Sequence, residues 1–286
     1  MAFARPALLA APAVTVYALV LAVPLIGTFV LSLHGFDFNR GILPGLGWAN
    51  YADLFTDPLF GEALMRTFRV SVVTTAICLL LGVPEAWIIH RMAPAWRGVM
   101  LLLVVGPLLV SVVVRTFGWM VLLGTGGVLN QALLALGVPG APFRMLFTEF
   151  AMILGLVHVM VPLMVLAVWA SLSRLDPALV RAAENLGAGP VTVFRRVVLP
   201  NVMPGVLGGA LMVFCLTASA FATPAILGGR RLKVVTTMAY NEFLNTLNWP
   251  LGAAIATLLL LAILGATILW AWLVERPALR RLGGPA

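Results

Sequence analysis

The amino-acid sequence predicts an all-α polytopic membrane protein with about six transmembrane helices, and three observations predict it. Hydrophobic residues fill 62% of the 286 positions and charged residues 10%, with a mean hydropathy of +1.08. So few charges cannot solvate a water-facing surface, so lipid is the solvent for most of the chain. Runs of roughly 20 apolar residues, the length that crosses a bilayer core, recur along it. Basic residues are unevenly spread. With the amino terminus in the cytoplasm, ten fall inside (Arg5, Arg91, Arg97, Arg174, Arg181, Arg195, Arg196, Arg276, Arg280, Arg281) and seven outside (Arg40, Arg66, Arg69, Arg144, Arg230, Arg231, Lys233). That bias puts both termini in the cytoplasm. The net charge of +8 forms no compact basic domain, which argues against a nucleic-acid partner.

The first span, about residues 8–33, follows Arg5 and has signal-like polarity, but its apolar run is about twice the 7 to 15 residues of a cleavable core, so it is expected to stay as an anchor. Residues 34–65 are rich in Gly, Pro, Asn and Asp and read as an outside loop with a short interfacial helix, Trp48 and Tyr51 suiting the headgroup level. Spans at 67–90 and 99–123 flank a short basic turn, RMAPAWRG. The next stretch, GTGGVLNQALLALGVPGAPFRMLF, holds an apolar patch (Val128, Leu129, Leu133, Leu136) too short to cross a bilayer. Spans at 150–172, 202–227 and 251–274 complete the set, with a short amphipathic segment, VVTTMAYNEFLNTLNW, before the last. Cys78 and Cys215 fall inside spans as small apolar packers, so no disulfide is expected. Residues 1–286 read as a single transmembrane domain without internal duplication.

One polar interruption, residues 173–201, is longer than a connector needs to be. Asp176 is a strong helix cap and Pro177 a strong first helical residue, because the side-chain oxygen accepts a free N–H and proline needs none there. A helix from Pro177 to Gly187 carries Leu179, Ala183 and Leu186 on one face, with Arg181 and Glu184 elsewhere. Gly187 and Gly189 end it. A second helix starts at Pro190, with Val193, Phe194, Val197 and Val198 on one side and Arg195 and Arg196 on the other, and Pro200 is expected to stop it. One stripe can rest on the protein's own helices. The smooth turn at Arg181, Ala182, Ala183 and Glu184 projects and fits a partner's groove, although an elbow lying in the headgroup layer is the plainer reading.

The segment DPALVRAAENLGAGPVTVFRRVVLPNVMPGV resembles the EAA loop of ATP-binding-cassette importer permeases, a pattern of Glu-Ala-Ala, three residues, Gly, then a spaced Leu-Pro. The match covers Ala182, Ala183, Gly187, Leu199 and Pro200. Arg181 stands where the pattern has glutamate, which leaves room for a partner with a compensating acid. Flanking segments VVVRTFGWMVLLGTGGVLN, ILGLVHVMVPLMVL, ATPAILGG and NWPLGAA resemble spermidine/putrescine-type permeases nearly from end to end. The resemblance implies a type I importer fold in the bacterial inner membrane. In it the loop is a coupling helix seated in an ATPase, two copies of that ATPase bind ATP and Mg, and a second homologous permease (or a second copy of this one) and an extracytoplasmic substrate-binding protein complete the machine. It assigns coupling to Asp176, Pro177, Arg181, Ala182, Ala183, Glu184, Gly187, Arg195, Leu199 and Pro200. The ATPase must be a different chain: Lys233, the sole lysine, lies in RRLKVVTT with no G-x-x-x-x-G-K-[ST] around it.

Candidates for the translocation pathway are Arg115, Trp119, Glu149, His158, Phe214, Phe221 and Glu242. An arginine inside a span costs roughly 2.5 to 3.5 kcal/mol on insertion scales unless it faces water or an acid. Arg115 therefore reads either as a pathway or gate residue, or as one half of an ion pair with Glu149 or a sister subunit. Glu85 lies near a span's end and is expected either to snorkel or to pair with His90 or Arg91. His158 shares its span with Pro162, and the rings of Phe117, Trp119, Phe214 and Phe221 offer faces to an ammonium group; packing is the plainer role for all of these. Glu149 and Glu242 are the outer carboxylates for an amine cargo, whereas Asn248 replaces the acid usual before WPLGAA. An opine, amino acid or phosphonate stays open as cargo. An ion-driven secondary carrier would want paired midplane acids. An embedded enzyme would want a metal-spaced His cluster or a Ser-His-Asp neighbourhood, and the sequence displays neither.

Overall fold

The structure, a computed structural model, describes residues 4–272. Val274 at the end of the sixth expected span, and the cytoplasmic positions expected for Arg276, Arg280 and Arg281, lie outside the described residues, as does the side chain of Arg5.

Without water, a backbone can satisfy its own polar groups only in helices or closed barrels, and this one chooses helices. In chain order they are α1 (Ala4–Ser32), α2 (Ala49–Thr56), α3 (Pro58–Arg91), α4 (Pro94–Leu109), α5 (Val112–Leu123), α6 (Val128–Ala135), α7 (Glu149–Leu172), α8 (Pro177–Asn185), α9 (Pro190–Val193), α10 (Leu199–Ala218), α11 (Ala222–Leu227), α12 (Val235–Leu244) and α13 (Trp249–Trp270). A two-residue strand pair after α1, β1 (Phe36–Asp37) with β2 (Gly41–Ile42), sets Phe36 opposite Ile42. Among the described residues six stretches are long and apolar enough to cross a membrane: Ala11–Ser32, Pro58–Arg91, Val112–Ala135, Glu149–Leu172, Pro190–Ala218 and Trp249–Trp270.

Three boundaries differ from the sequence expectation. The span at 99–123 is two helices, α4 and α5, with Val110 extended between them at ψ 139°. Pro107 offers no N–H to the Leu103 carbonyl, and the β-branched run Val110, Val112, Val113 and Val114 does little to repair the gap. Pro200 does not stop the second short helix. Residues Phe194–Val198 form a π-turn, in which the Leu199 N–H reaches the Phe194 carbonyl five residues back, and the chain continues helically from Pro190 to Ala218. That wider turn places Pro200 in the first turn of α10, where a missing N–H is tolerated. The span at 202–227 consequently starts and ends early. Ser219 turns its hydroxyl back to the Cys215 carbonyl at 2.8 Å, and the short α11 starts at Ala222 with Pro224 in its first turn.

The chain forms two compact units. One is drawn from the stretch before residue 65 together with Val235–Ala262; the other is drawn from Met65–Val234 together with the stretch from residue 263 on. In the first, Asn50 donates to the Ser32 and His34 carbonyls at 2.8 Å each, and Ser32 Oγ lies 2.6 Å from the Tyr51 hydroxyl. Tyr51 is therefore buried, while Trp48 stays exposed. A Cβ at Gly252 would meet the Phe243 ring at 3.0 Å, which shows how closely α12 lies on α13.

In the second unit α7 and α10 form the spine, and Met164, Val165, Val168 and Leu172 of α7 are buried with Val202, Ala210 and Val213 of α10. Lipid tails give apolar helices no reason to prefer each other, so association relies on close contact between small residues. Gly205 and Gly209, one turn apart, provide it. A Cβ on Gly205 would overlap the Ser171 side chain, and one on Gly209 would come within 2.9 Å of Ala167 Cβ.

Candidate functional site

The polar interruption folds as a capped elbow. Asp176 Oδ1 accepts the Ala178 N–H at 2.8 Å, and Pro177 occupies the first turn of α8. At the other end the Ala188 N–H reaches the Ala183 carbonyl at 3.1 Å and the Gly187 N–H reaches the Glu184 carbonyl at 2.9 Å. These two bonds form a Schellman cap around Gly187, whose φ of +81° is the left-handed conformation such a cap requires. Gly189 then leads into α9, with Pro190 in its first turn.

The buried face of α8 is not the one read from periodicity. Val180, Ala183 and Ala188 pack toward the core that holds Val193 and Val198, whereas Leu179 and Leu186 point outward, Leu186 being 88% exposed. Arg181, Ala182 and Glu184 share that exposed surface, as do Arg195 and Arg196, which border a small recess with Val191 and Thr192. Leu199 and Pro200 are half-buried where α10 begins.

A clasp that sequence reasoning missed ties the elbow to the end of α3. Glu184 Oε1 lies 3.4 Å from Arg91 Nη2, the Arg91 guanidinium sits over the Trp87 ring at 5.6 Å, and Trp87 also meets Phe194 at 5.9 Å. Trp87 and Arg91 are i and i+4 on α3, so one helical face presents both. Nothing local in the sequence links them to residues a hundred positions later.

The seven pathway candidates separate into several places, with Phe221 and Glu242 outside the candidate spans. Trp119 and His158 come together: the indole N–H donates to His158 Nδ1 at 3.0 Å, with the rings edge to face. Arg115 lies one turn before Trp119 on α5 and within electrostatic reach of His158. Its Nε and one Nη are buried and have no hydrogen-bond partner among the described residues. The expected pair of Arg115 with Glu149 is absent. Glu149 instead bridges Arg66 at 3.3 Å and Arg69 at 3.4 Å, and Arg66 also donates to the Lys233 carbonyl at 2.8 Å. Two arginines on neighbouring turns of α3 reach Glu149 first because α3 delivers them to the start of α7.

Phe214 packs on Phe68, with ring centroids 5.9 Å apart, beside a small apolar pocket also lined by Trp270. Phe221 precedes α11, and Thr223 within that helix pairs with Thr116 at 3.3 Å. Glu242 belongs to the other unit, where it accepts the Thr246 hydroxyl at 2.6 Å.

Glu85 corrects a further expectation. It pairs with neither His90 nor Arg91; Arg91 is engaged by Glu184, and His90 stacks on Trp87. Glu85 lines a cleft of about 800 Å³ between α3, α4 and α7, which His158 also lines, and the other walls are apolar. Among the described residues no three His, Cys, Asp or Glu are grouped to hold a metal ion.

No family model matches the chain. It is 37% identical over 225 residues, 79% of its length and 76% of the relative's, to the spermidine/putrescine transport system permease protein PotB of Haemophilus influenzae. To PotB of Escherichia coli it is 34% identical, again over 79% of this chain and 82% of the relative. In fold it is similar to a chain of a bacterial ABC transporter involved in the import of the acidic polysaccharide alginate, with a TM-score of 0.76 at 20% identity, over 95% of this chain and 96% of that one. It is also similar to a chain of the MetNI methionine ABC transporter, with a TM-score of 0.60 at 16% identity, over 79% of this chain and 97% of that one. With a helical membrane fold, a capped elbow and relatives above 30% identity over more than two thirds of its length, the chain belongs to the spermidine/putrescine-type family of ABC importer permease subunits.

Proposed function

We propose that this permease conducts a polyamine or related linear amine inward, driven by a separate ATPase that grips the elbow. The observation that carries the reading is the elbow itself. It is capped at both ends, clasped to α3 through Trp87 and Arg91, and presents an uncapped surface of Leu179, Arg181, Ala182 and Leu186. A stiff lever of this kind transmits whatever difference in contact the ATPase makes between its two states, and only such a difference can bias a pore. ATP and Mg²⁺ belong to the ATPase, of which two copies serve a pair of permeases. A substrate-binding protein delivers cargo on the other face. Both termini and the elbow are cytoplasmic, in keeping with the excess of arginine on that side.

The amine cargo rests on the relatives named above. A specific observation keeps a second reading alive: Arg115 is half-buried, with its Nε and one Nη buried and no acid paired to it among the described residues, which suits an amine cargo poorly and an opine, amino acid or phosphonate better. Two measurements decide. Replacing Ala182 and Ala183 with a pair of glutamates should abolish ATPase stimulation by loaded binding protein while the complex still purifies; retained stimulation would remove the coupling role. A thermal-shift screen of the cognate binding protein should show stabilisation by spermidine or putrescine, and stabilisation by anionic compounds alone would replace the cargo.

A further inference from the structure

The cleft between α3, α4 and α7 contains an acid whose position is otherwise unexplained. Asp37, Asp57 and Asp176 accept backbone N–H groups, Glu149 and Glu184 pair with arginines, and Glu242 accepts a hydroxyl. Glu85 is half-buried inside a membrane span, with no hydrogen bond or ion pair among the described residues. A carboxylate so placed is disfavoured by an apolar surround unless a cation comes to it.

The rest of the cleft fixes what kind of cation that is. Leu81, Ile88, Val104 and Val161 make an aliphatic wall, suited to methylene groups rather than to a hydrated metal ion. His158, the other polar lining residue, takes the Trp119 N–H at Nδ1, so that nitrogen carries no proton and the ring adds no positive charge beside Glu85. Arg91, the nearest basic residue in sequence at the end of α3, is held away by Glu184 and Trp87. A single negative charge on an aliphatic wall is complementary to a protonated primary amine on an alkyl chain.

We infer that Glu85 anchors a subsite for an alkylammonium group in this cleft, inside the permease itself. The site lies toward the elbow end, because Glu85 precedes the last residue of α3 by six positions, about 9 Å of helix rise. The substrate class rests on the proposed amine cargo; the site does not, since any alkylammonium ion tests it.

The experiment uses the assembled complex in nanodiscs, with Cys78 and Cys215 changed to alanine and Val161→Cys as a reporter in the cleft wall. Butylammonium and spermidine should each slow maleimide modification of the reporter by about five- to tenfold, butanol should not, Glu85→Gln should remove the protection and Glu85→Asp should keep part of it. Equal protection with Glu85→Gln, no protection by any amine, or a reporter that never reacts because the second permease or lipid fills the cleft would each overturn the site. Spermidine uptake by the unmodified complex is read separately. Uptake without protection defeats the site and leaves the cargo standing, while Glu85-dependent protection without uptake defeats the cargo and leaves the site.

Discussion

Gly187 shows how much one residue decides. At φ +81° an L side chain is strained by about 1–2 kcal/mol even though no atom lies within 4 Å of where its Cβ would be. Gly187→Val should therefore leave the helices of the membrane intact and blunt the elbow: ATPase stimulation by loaded binding protein falls severalfold, while the amount of assembled complex on size exclusion is unchanged. The Arg91–Glu184 bridge behaves differently. Both side chains are nearly half exposed, so Glu184→Gln should shift thermal stability by less than about 1 kcal/mol. Trp87→Ala, which removes the ring contacts to Phe194 and Arg91 together, should shift it more. Arg115 is the converse case. If the half-buried guanidinium serves transport rather than stability, Arg115→Met raises the thermal midpoint in detergent and lowers uptake; a midpoint that falls would mean that a partner subunit supplies an acid for it. Caps at Asp176 and Gly187 were legible because capping is local chemistry. The Trp87 and Arg91 clasp was not, because its partners are distant in sequence.

At the scale of elements, the α7–α10 pair depends on the absence of side chains. Gly205→Leu would press on Ser171 and part the helices, and the expected result is loss of folded protein in detergent. Gly208→Ala, three residues along on the open side of α10, meets nothing within 4 Å and should be silent or slightly stabilising by helix propensity. Equal effects of the two would argue against close packing as the cause. The number of candidate spans was readable from apolar run length, but helix ends were not. A proline marks a place where the ladder must adjust without saying how: after Pro107 the helix breaks, whereas at Pro200 a π-turn carries it through. Likewise the apolar stripe of α8 offered two faces, and packing against Val193 and Val198 chose Val180 and Ala183 over Leu179 and Leu186.

For the molecule as a whole, the prediction is one of insufficiency. This chain alone, reconstituted in vesicles with a proton or sodium gradient, should accumulate no spermidine, and uptake should appear only with the ATPase, the second permease and the binding protein. Accumulation by the chain alone would restore the ion-driven carrier. By itself the sequence determined the solvent, the number of crossings, the sidedness expected from arginine placement and the existence of a capped elbow, because each follows from composition or from interactions within a few residues. Only the tertiary structure decided which charges meet. Glu149 went to Arg66 and Arg69, Arg91 went to Glu184, and among the described residues neither Glu85 nor Arg115 has an ion-pair partner. In lipid the reach of a charge is set by which helices lie side by side, and that is fixed by packing between residues far apart along the chain.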